Sequence, residues 1–583
     1  MILIMFGYLL FSAILFSLGM LARNFLFSAC KLEKPGGSGG FDLFWIGLSI
    51  LIILLEGISL FSPIDGVVFA VFLVLCAPAI PIAIKQFTLP RREILSYVMI
   101  GGTILVFIIA ASITSHGISA YDTRNYHFNA VKWITDFSVV PGVANISPYM
   151  GYNNSFHIFA GFVDVWLWEA RSAHVALSLV YSMAVVQFFQ AGVKSIFQET
   201  TREGVYALLV LPFVVGYMFS DLFNSLSPDP FSQILCLLLG FYLIKLSPII
   251  SRAGFLYKVS IREPVFGSFI VVFLLATMAI TNKLSGFPGI LVLLLLLIPA
   301  YFNSEIMKGQ KKAIHILLCV AALAAFVHMG RSIALTGWLW YPVPFGNFHL
   351  PWSVPYERGP YDIYTVKGMN DIIIAHGRGW HYQENWSLID YLIRTKAHPA
   401  FILMYMGVAF LLGSFLLKAR RITFKEYVLP LLMGFSGIWY LWLTVPSMRF
   451  GIQFFWGFFV VCALPFFFNM PGRKAWVVPL IALGIYNWSV FREKNYGLWP
   501  PSHYIGLPKD GGRTGLKKMT VQPRDGSPAF EIYYTGELQG NSVLPVTQLE
   551  AHQLVILKER VPGDLSSGYE FAKSLKPKET TKQ

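Results

Sequence analysis

The chain is written in long, continuous blocks of apolar residues separated by short polar stretches, many of them basic. A block of about 20 such residues crosses roughly 30 Å of hydrocarbon as a helix. Fourteen spans are expected on this pattern: 2–22, 43–62, 66–84, 95–115, 172–190, 205–222, 231–248, 264–281, 286–302, 313–330, 398–417, 427–445, 450–469 and 474–490. The blocks do not alternate apolar with polar residues, which excludes an outer-membrane barrel. The opening MILIMFGYLLFSAILFSLGML has no basic n-region and no clear cleavage site, so it reads as a retained first span. The expected fold class is therefore an all-α polytopic membrane protein.

Composition agrees. Of 583 residues, 55 % are hydrophobic and 13 % charged, against about 25 % charged in soluble domains. A soluble globular reading is excluded. The formal charge of +14 is carried mainly between apolar blocks, where the positive-inside rule accounts for it without a nucleic-acid partner. The five cysteines are scattered, four of them inside apolar runs, and suggest neither a disulfide framework nor a thiolate metal site.

Lys/Arg-bearing loops fall on alternate sides of the spans. With these in the cytoplasm of a bacterial inner membrane, both termini and two long loops lie outside. The organisation expected is 1–115 membrane helices, 116–171 a first outer loop with interfacial helices, 172–330 membrane helices, 331–397 a second outer loop, 398–490 membrane helices, and 491–583 an outer tail. Residues 501–583 carry 11 basic and 9 acidic residues, a soluble-like density. FEIYYTGE (530–537) and QLVILKER (553–560) read as strands between Gly/Pro turns. A small α+β or β-rich appendage is expected there, packed on the second loop or docking a protein partner.

Polar chemistry gathers on the outer face. Asp122, Arg124 and His127 stand at the head of a stretch (126–134) with helical apolar spacing and Trp133, as an interfacial helix requires. Asp122 is either an N-cap or a general base. Arg124 is either a contact to lipid phosphate or part of a site, and His127 is either structural or functional. Asp221 ends the sixth expected span, where a carboxylate needs a cavity or a partner. Asp229 precedes Pro230 and is either a helix-start residue or a ligand of the same site. The second loop holds Arg331, Arg358 and His381 among aromatic residues, a lining for a sugar or headgroup, or an interfacial girdle. Arg449, in the short turn TVPSMRFG, needs an anion: a lipid phosphate or the phosphate of a lipid-linked substrate. No Walker A, GxGxxG, GxSxG, HExxH or EF-hand pattern occurs, and no metal or cofactor is expected.

YDTRNYHFNAVKWI (121–134), VPGVANI (140–146), GYNNSF (151–156), SDLFNSLSPD (220–229), RSIALTGWLWYPVPF (331–345) and PSMRFG (446–451) together resemble the GT-C superfamily of polytopic glycosyltransferases. More narrowly, they resemble uncharacterised bacterial membrane proteins of that class. The resemblance implies a polyprenyl-phosphate sugar donor, extracytoplasmic transfer with inversion, and an essential aspartate in the first large outer loop, where Asp122 stands. Asp221 resembles a second acidic position. Here the loop follows the fourth expected span, where the superfamily pattern puts it after the first. Two other readings stand beside it: a non-catalytic scaffold that docks a partner through 501–583, and a transporter or flippase of lipid-linked saccharide.

Overall fold

The computed structural model describes residues 1–32, 40–82, 94–252, 263–302, 308–357, 362–378, 399–416, 424–444, 448–469, 517–534, 544–547 and 557–571. Sixteen α-helices carry the chain as far as residue 469 in these segments. They are α1 (Ile2–Cys30), α2 (Gly40–Ser59), α3 (Gly66–Cys76), α4 (Ile94–Thr114), α5 (Phe128–Asp136), α6 (Ser155–Val163), α7 (Ala176–Phe197) and α8 (Arg202–Met218). There follow α9 (Pro228–Arg252), α10 (Glu263–Asn282), α11 (Phe287–Phe302), α12 (Lys308–Thr336), α13 (Val366–Arg378), α14 (Pro399–Leu416), α15 (Phe424–Leu443) and α16 (Met448–Asn469).

Each expected apolar run up to residue 469 falls on a helix, but fourteen spans are not found. Among the described residues seven helices are long and apolar enough to cross a membrane: Ile2–Cys30, Gly40–Ser59, Ile94–Thr114, Ser172–Phe197, Pro228–Leu246, Gln310–Thr336 and Arg449–Phe468. Gly66–Ile82, Phe266–Asn282, Leu284–Ile298, Ile402–Ser414 and Tyr427–Leu443 are apolar but shorter. Helix α8 has 17 residues and an internal Pro212, a rise of about 26 Å, less than the roughly 30 Å of hydrocarbon. The run 474–490 lies outside the described residues.

Helices α1 and α2 cross at a glycine pair. A Cβ on Gly19 would sit 1.8 Å from the Leu43 carbonyl oxygen, and one on Gly47 1.9 Å from that of Leu15, so only glycine permits this backbone approach. A single large apolar core joins α1, α2 and α6–α12 with parts of α15 and α16. Helix α9 is buried along most of its apolar length, whereas α4 presents most of its side chains outward.

The 126–134 segment is a helix as expected, but its apolar face is covered by protein. Phe128, Val131 and Trp133 are buried and α5 packs on α6. The tail forms strands. β1 (Lys517–Val521), β2 (Phe530–Tyr534) and β3 (Val546–Thr547) make one sheet, with β1–β2 antiparallel and β2–β3 parallel. β4 (Leu557–Glu559) and β5 (Tyr569–Phe571) form an antiparallel pair. Val521, Phe530, Ile532, Leu557 and Tyr569 close a small core with Ile146 of the first long loop. The Tyr569 amide donates to the Pro141 carbonyl at 3.1 Å. Arg560 lies 4.6 Å from the Trp352 ring centre. The expected packing on the second loop is thus shared, with the 140–146 segment of the first loop making the larger contact.

Candidate functional site

Helix α4 ends at Thr114, and the chain re-enters helical geometry at Tyr121 and Asp122 before a single π turn, Thr123–His127, that leads into α5. Such turns misalign the backbone ladder and are frequent at functional sites. The Asp122 carboxylate caps nothing, which removes the capping reading. It instead accepts from Arg449 Nη2, 327 residues away.

The partner segment is stitched in place by small polar groups. The Leu226 amide donates to Thr123 Oγ1 at 3.1 Å, and His157 Nε2 bonds the Leu226 carbonyl at 3.1 Å. Asn224 Nδ2 donates to the His116 carbonyl at 2.6 Å. Asp229 follows directly, in the first turn of α9. Ser227 Oγ, not the aspartate, accepts a first-turn amide. The Asp229 carboxylate accepts from Arg449 Nε at 2.5 Å through one oxygen and from Lys283 Nζ through the other.

Lys283 is held by the residue before it. Asn282 Nδ2 donates to Ser232 Oγ at 2.6 Å and the Pro228 carbonyl at 3.2 Å, tying the end of α10 to the start of α9. Lys283 Nζ also lies 3.6 Å from the centre of the Phe450 ring, a cation–π contact. The result is a linear chain, Lys283–Asp229–Arg449–Asp122, with two cations and two anions. Its interior holds a sealed carboxylate, with the Asp229 side chain 3 % exposed, while both ends reach the surface, Lys283 at 26 % and Asp122 at 23 %, with Arg449 at 42 %. Burial pushes the Lys283 pKa down, and the Asp229 charge opposes this.

Tyrosines flank the outer end. Tyr126 stacks on Tyr149 at 4.5 Å between ring centres, with Tyr152 and Tyr341 beyond. Burial, and then the neighbouring Asp122 charge, hold the Tyr126 phenol well above its usual pKa. His127 is buried, shares a hydrogen bond with Thr123 and lies 5.0 Å from the His157 ring. Burial, the second imidazole and the nearby cations push its pKa well below the usual value. It therefore favours the neutral form.

The other expected residues divide. Arg124 and Asp221 are exposed and stand outside the ion-pair chain. Arg331 is buried in a second cluster, donating to Asn153 Oδ1 at 3.1 Å and Ser59 Oγ at 2.5 Å. There Glu56 accepts from Ser155 Oγ at 2.7 Å, and His328 lies at 3.3 Å. Arg331 thus braces α12 against α2 and does not join Arg449. Arg358 and His381 lie outside the described residues. A cavity between Trp133, Tyr152, His157 and Arg331 holds about 40 Å³, room for water but not for a sugar ring. Among the described residues no group of three or more His, Cys, Asp or Glu could hold a metal ion.

Lys283 and Glu56 were not selected from the sequence. Lys283 had a usable signal, an isolated cation in a four-residue turn between apolar runs, the same situation as Arg449. Glu56 lies within an apolar run, where a carboxylate needs a partner.

The chain belongs to the family described as "Domain of unknown function (DUF8201)", whose model matches residues 1–456. All four members of the ion-pair chain fall inside that match. No curated protein and no solved structure matches the chain.

Proposed function

We propose that this protein is a GT-C-type glycosyltransferase. It moves a sugar from a polyprenyl-phosphate donor to a lipid, glycan or protein acceptor at the extracytoplasmic face of a bacterial inner membrane. The observation that carries the reading is the meeting of Asp122, Asp229 and Arg449, each singled out separately from the sequence, in one ion-paired chain. A carboxylate and a phosphate-binding arginine side by side are what this transfer needs.

In the resting site the Asp122 carboxylate is tied to Arg449. The phosphodiester of the donor, entering from the open edge, takes the outer face of the guanidinium, which binds phosphate oxygens in bidentate fashion. Asp229 and Lys283 keep that guanidinium in place from behind. Asp122, released, accepts the proton of the acceptor hydroxyl. The acceptor oxygen forms its bond to the anomeric carbon as the carbon–oxygen bond to phosphate breaks, so the configuration inverts. The polyprenyl phosphate leaves with the electron pair and remains on Arg449. The prenyl tail lies in lipid throughout, and the 40 Å³ cavity makes the open edge, not an enclosed pocket, the route for the sugar.

The test is transfer from radiolabelled polyprenyl-phosphate sugars by the purified full chain. Asp122→Asn is expected to keep donor binding and lose at least about 10²-fold in turnover, the scale of a general base. An Asp122→Asn variant with most of its turnover would overturn the assignment. The scaffold reading draws on the docking of the strands at Pro141 and Ile146. It requires that the full chain transfer no sugar and that partner association be lost with 501–583 yet kept in Asp122→Asn, so transfer by the full chain decides between the two.

A further inference from the structure

The larger of the two cavities described lies at the other end of the bundle. Asp229 and Lys245 are both on α9, 16 residues apart, hence about 24 Å along the axis. Lys245 lines a cavity of about 380 Å³, within the roughly 300–1,000 Å³ usual for small-molecule sites. None of its lining belongs to the Lys283–Asp229–Arg449–Asp122 chain.

Its inner wall is a directed set of buried hydrogen bonds. Trp45 Nε1 donates to Gln187 Oε1 at 2.6 Å, and Gln187 Nε2 donates to the Tyr242 hydroxyl at 3.1 Å. That hydroxyl donates to Asp42 Oδ1 at 2.6 Å. The chain fixes the orientation of the Gln187 amide and of the Asp42 carboxylate, which both line the cavity. Lys245 Nζ stands 3.9 Å from Asp42 Oδ2, beyond hydrogen-bond length. Acceptors and donors held in fixed orientations around one space have the form of a recognition site.

The mixture of groups selects the ligand class. Glu199 and Glu203 join Asp42 as acceptors, Lys194 joins Lys245 as a donor, and Gln190 and Thr201 supply groups that both give and accept. A simple anion would face three carboxylates, and a simple cation would face two ammonium groups. A hydroxyl donates and accepts at once, so a ring bearing several hydroxyls satisfies neighbours of both kinds. Phe41 and Phe241 offer apolar edges to the C–H faces of such a ring.

We propose that this cavity binds an uncharged polyhydroxylated group, a sugar or the sugar head of a lipid, at the end of the bundle remote from Arg449. The proposal does not depend on the transfer reaction.

Saturation-transfer NMR on the full chain in a polyoxyethylene detergent, free of sugar headgroups, tests it. The probes are the methyl glycosides of glucose, mannose and N-acetylglucosamine, with glycine betaine and methyl phosphate as charged controls. At least one glycoside is expected to give a saturable signal that the controls do not displace. Ala191→Phe fills the cavity without removing a hydrogen bond and should weaken that signal about tenfold or more. Asp42→Asn should weaken it as well, and its elution profile reports whether the fold is kept. Asp122→Asn should leave it intact. Absence of any glycoside signal, a signal for methyl phosphate or betaine alone, or a glycoside signal lost in Asp122→Asn but kept in a folded Ala191→Phe variant would each overturn the proposal.

Discussion

Replacing Arg449 by alanine cuts the ion-pair chain at its centre, and the structure sets what each broken link is worth. The link to Asp229 joins a charged donor to a buried carboxylate at 2.5 Å, and a hydrogen bond to a charged group contributes about 1.5–3 kcal/mol. The link to Asp122 runs between partners 42 % and 23 % exposed, where an ion pair contributes only about 0.2–1 kcal/mol. Stripping a buried charge of its partner costs roughly 3–5 kcal/mol, but Asp229 keeps Lys283, so Arg449→Ala stays below that ceiling, at about 2–4 kcal/mol. Asp229→Asn removes the buried carboxylate between Lys283 and Arg449, leaving Lys283 without its anion and Arg449 with only the exposed Asp122, and approaches the ceiling. Asp122→Asn costs less than about 1 kcal/mol. The expected order of destabilisation is Asp229→Asn, then Arg449→Ala, then Asp122→Asn. It is read from the monodisperse fraction of each purified variant after stepwise heating in one detergent. The Asp229/Arg449 double-mutant cycle should show the larger coupling. Loss of transfer should follow a different order, with Asp122→Asn the mildest for stability and among the most severe for turnover. An Asp122→Asn variant as unstable as Asp229→Asn would refute the contrast between the sealed Asp229 and the open Asp122 on which the reasoning rests.

Gly568 has φ +86° and a Cβ there would lie 2.0 Å from the Pro141 carbonyl oxygen; Gly568→Ala should therefore cost at least roughly 1–2 kcal/mol from the backbone alone and undock the strands, seen as faster proteolysis of the tail, and unchanged protection would show that the docking is not made there. His157 is held down to about 4, first by burial, so between its unfolded value near 6.5 and pH 4 the unfolded chain binds the extra proton and stability falls with pH, by at most about 3 kcal/mol. Asp164 is pushed up to about 6 by burial and acts oppositely, adding stability as pH falls from 6 toward 4; His157→Gln should flatten the acid loss in a melting series from pH 7 to 4.5, and an unchanged slope would remove His157 as its cause. The proposed extracytoplasmic site, with the tail docked beside it, predicts that a cysteine in place of the exposed Ala529 reacts with a membrane-impermeant maleimide in intact spheroplasts, whereas labelling only after permeabilisation would put the strands, and with them the docked loop after Asp122, in the cytoplasm.

Hydropathy located the helices because burying backbone polar groups in any apolar surrounding, lipid or protein, demands the same residues. For that same reason it overcounted the spans. Helix α10, packed among its neighbours, and α4, exposed along most of its length, read alike in sequence, and nothing local tells a protein neighbour from a lipid one. The site was legible in a different way. Asp122, Asp229 and Arg449 were each conspicuous as charges set against apolar runs, yet spacing could not say that one arginine serves both aspartates, because the contacts span 327 and 220 residues. Asp221 had the same local credentials as Asp229 and ends up exposed. What separates them is the stitching of Thr123 to Leu226 and of Asn282 to Ser232, bonds between uncharged residues with no pattern in the chain. Charge against apolar sequence therefore marks where a partner is required, while the uncharged residues around it decide which partner arrives.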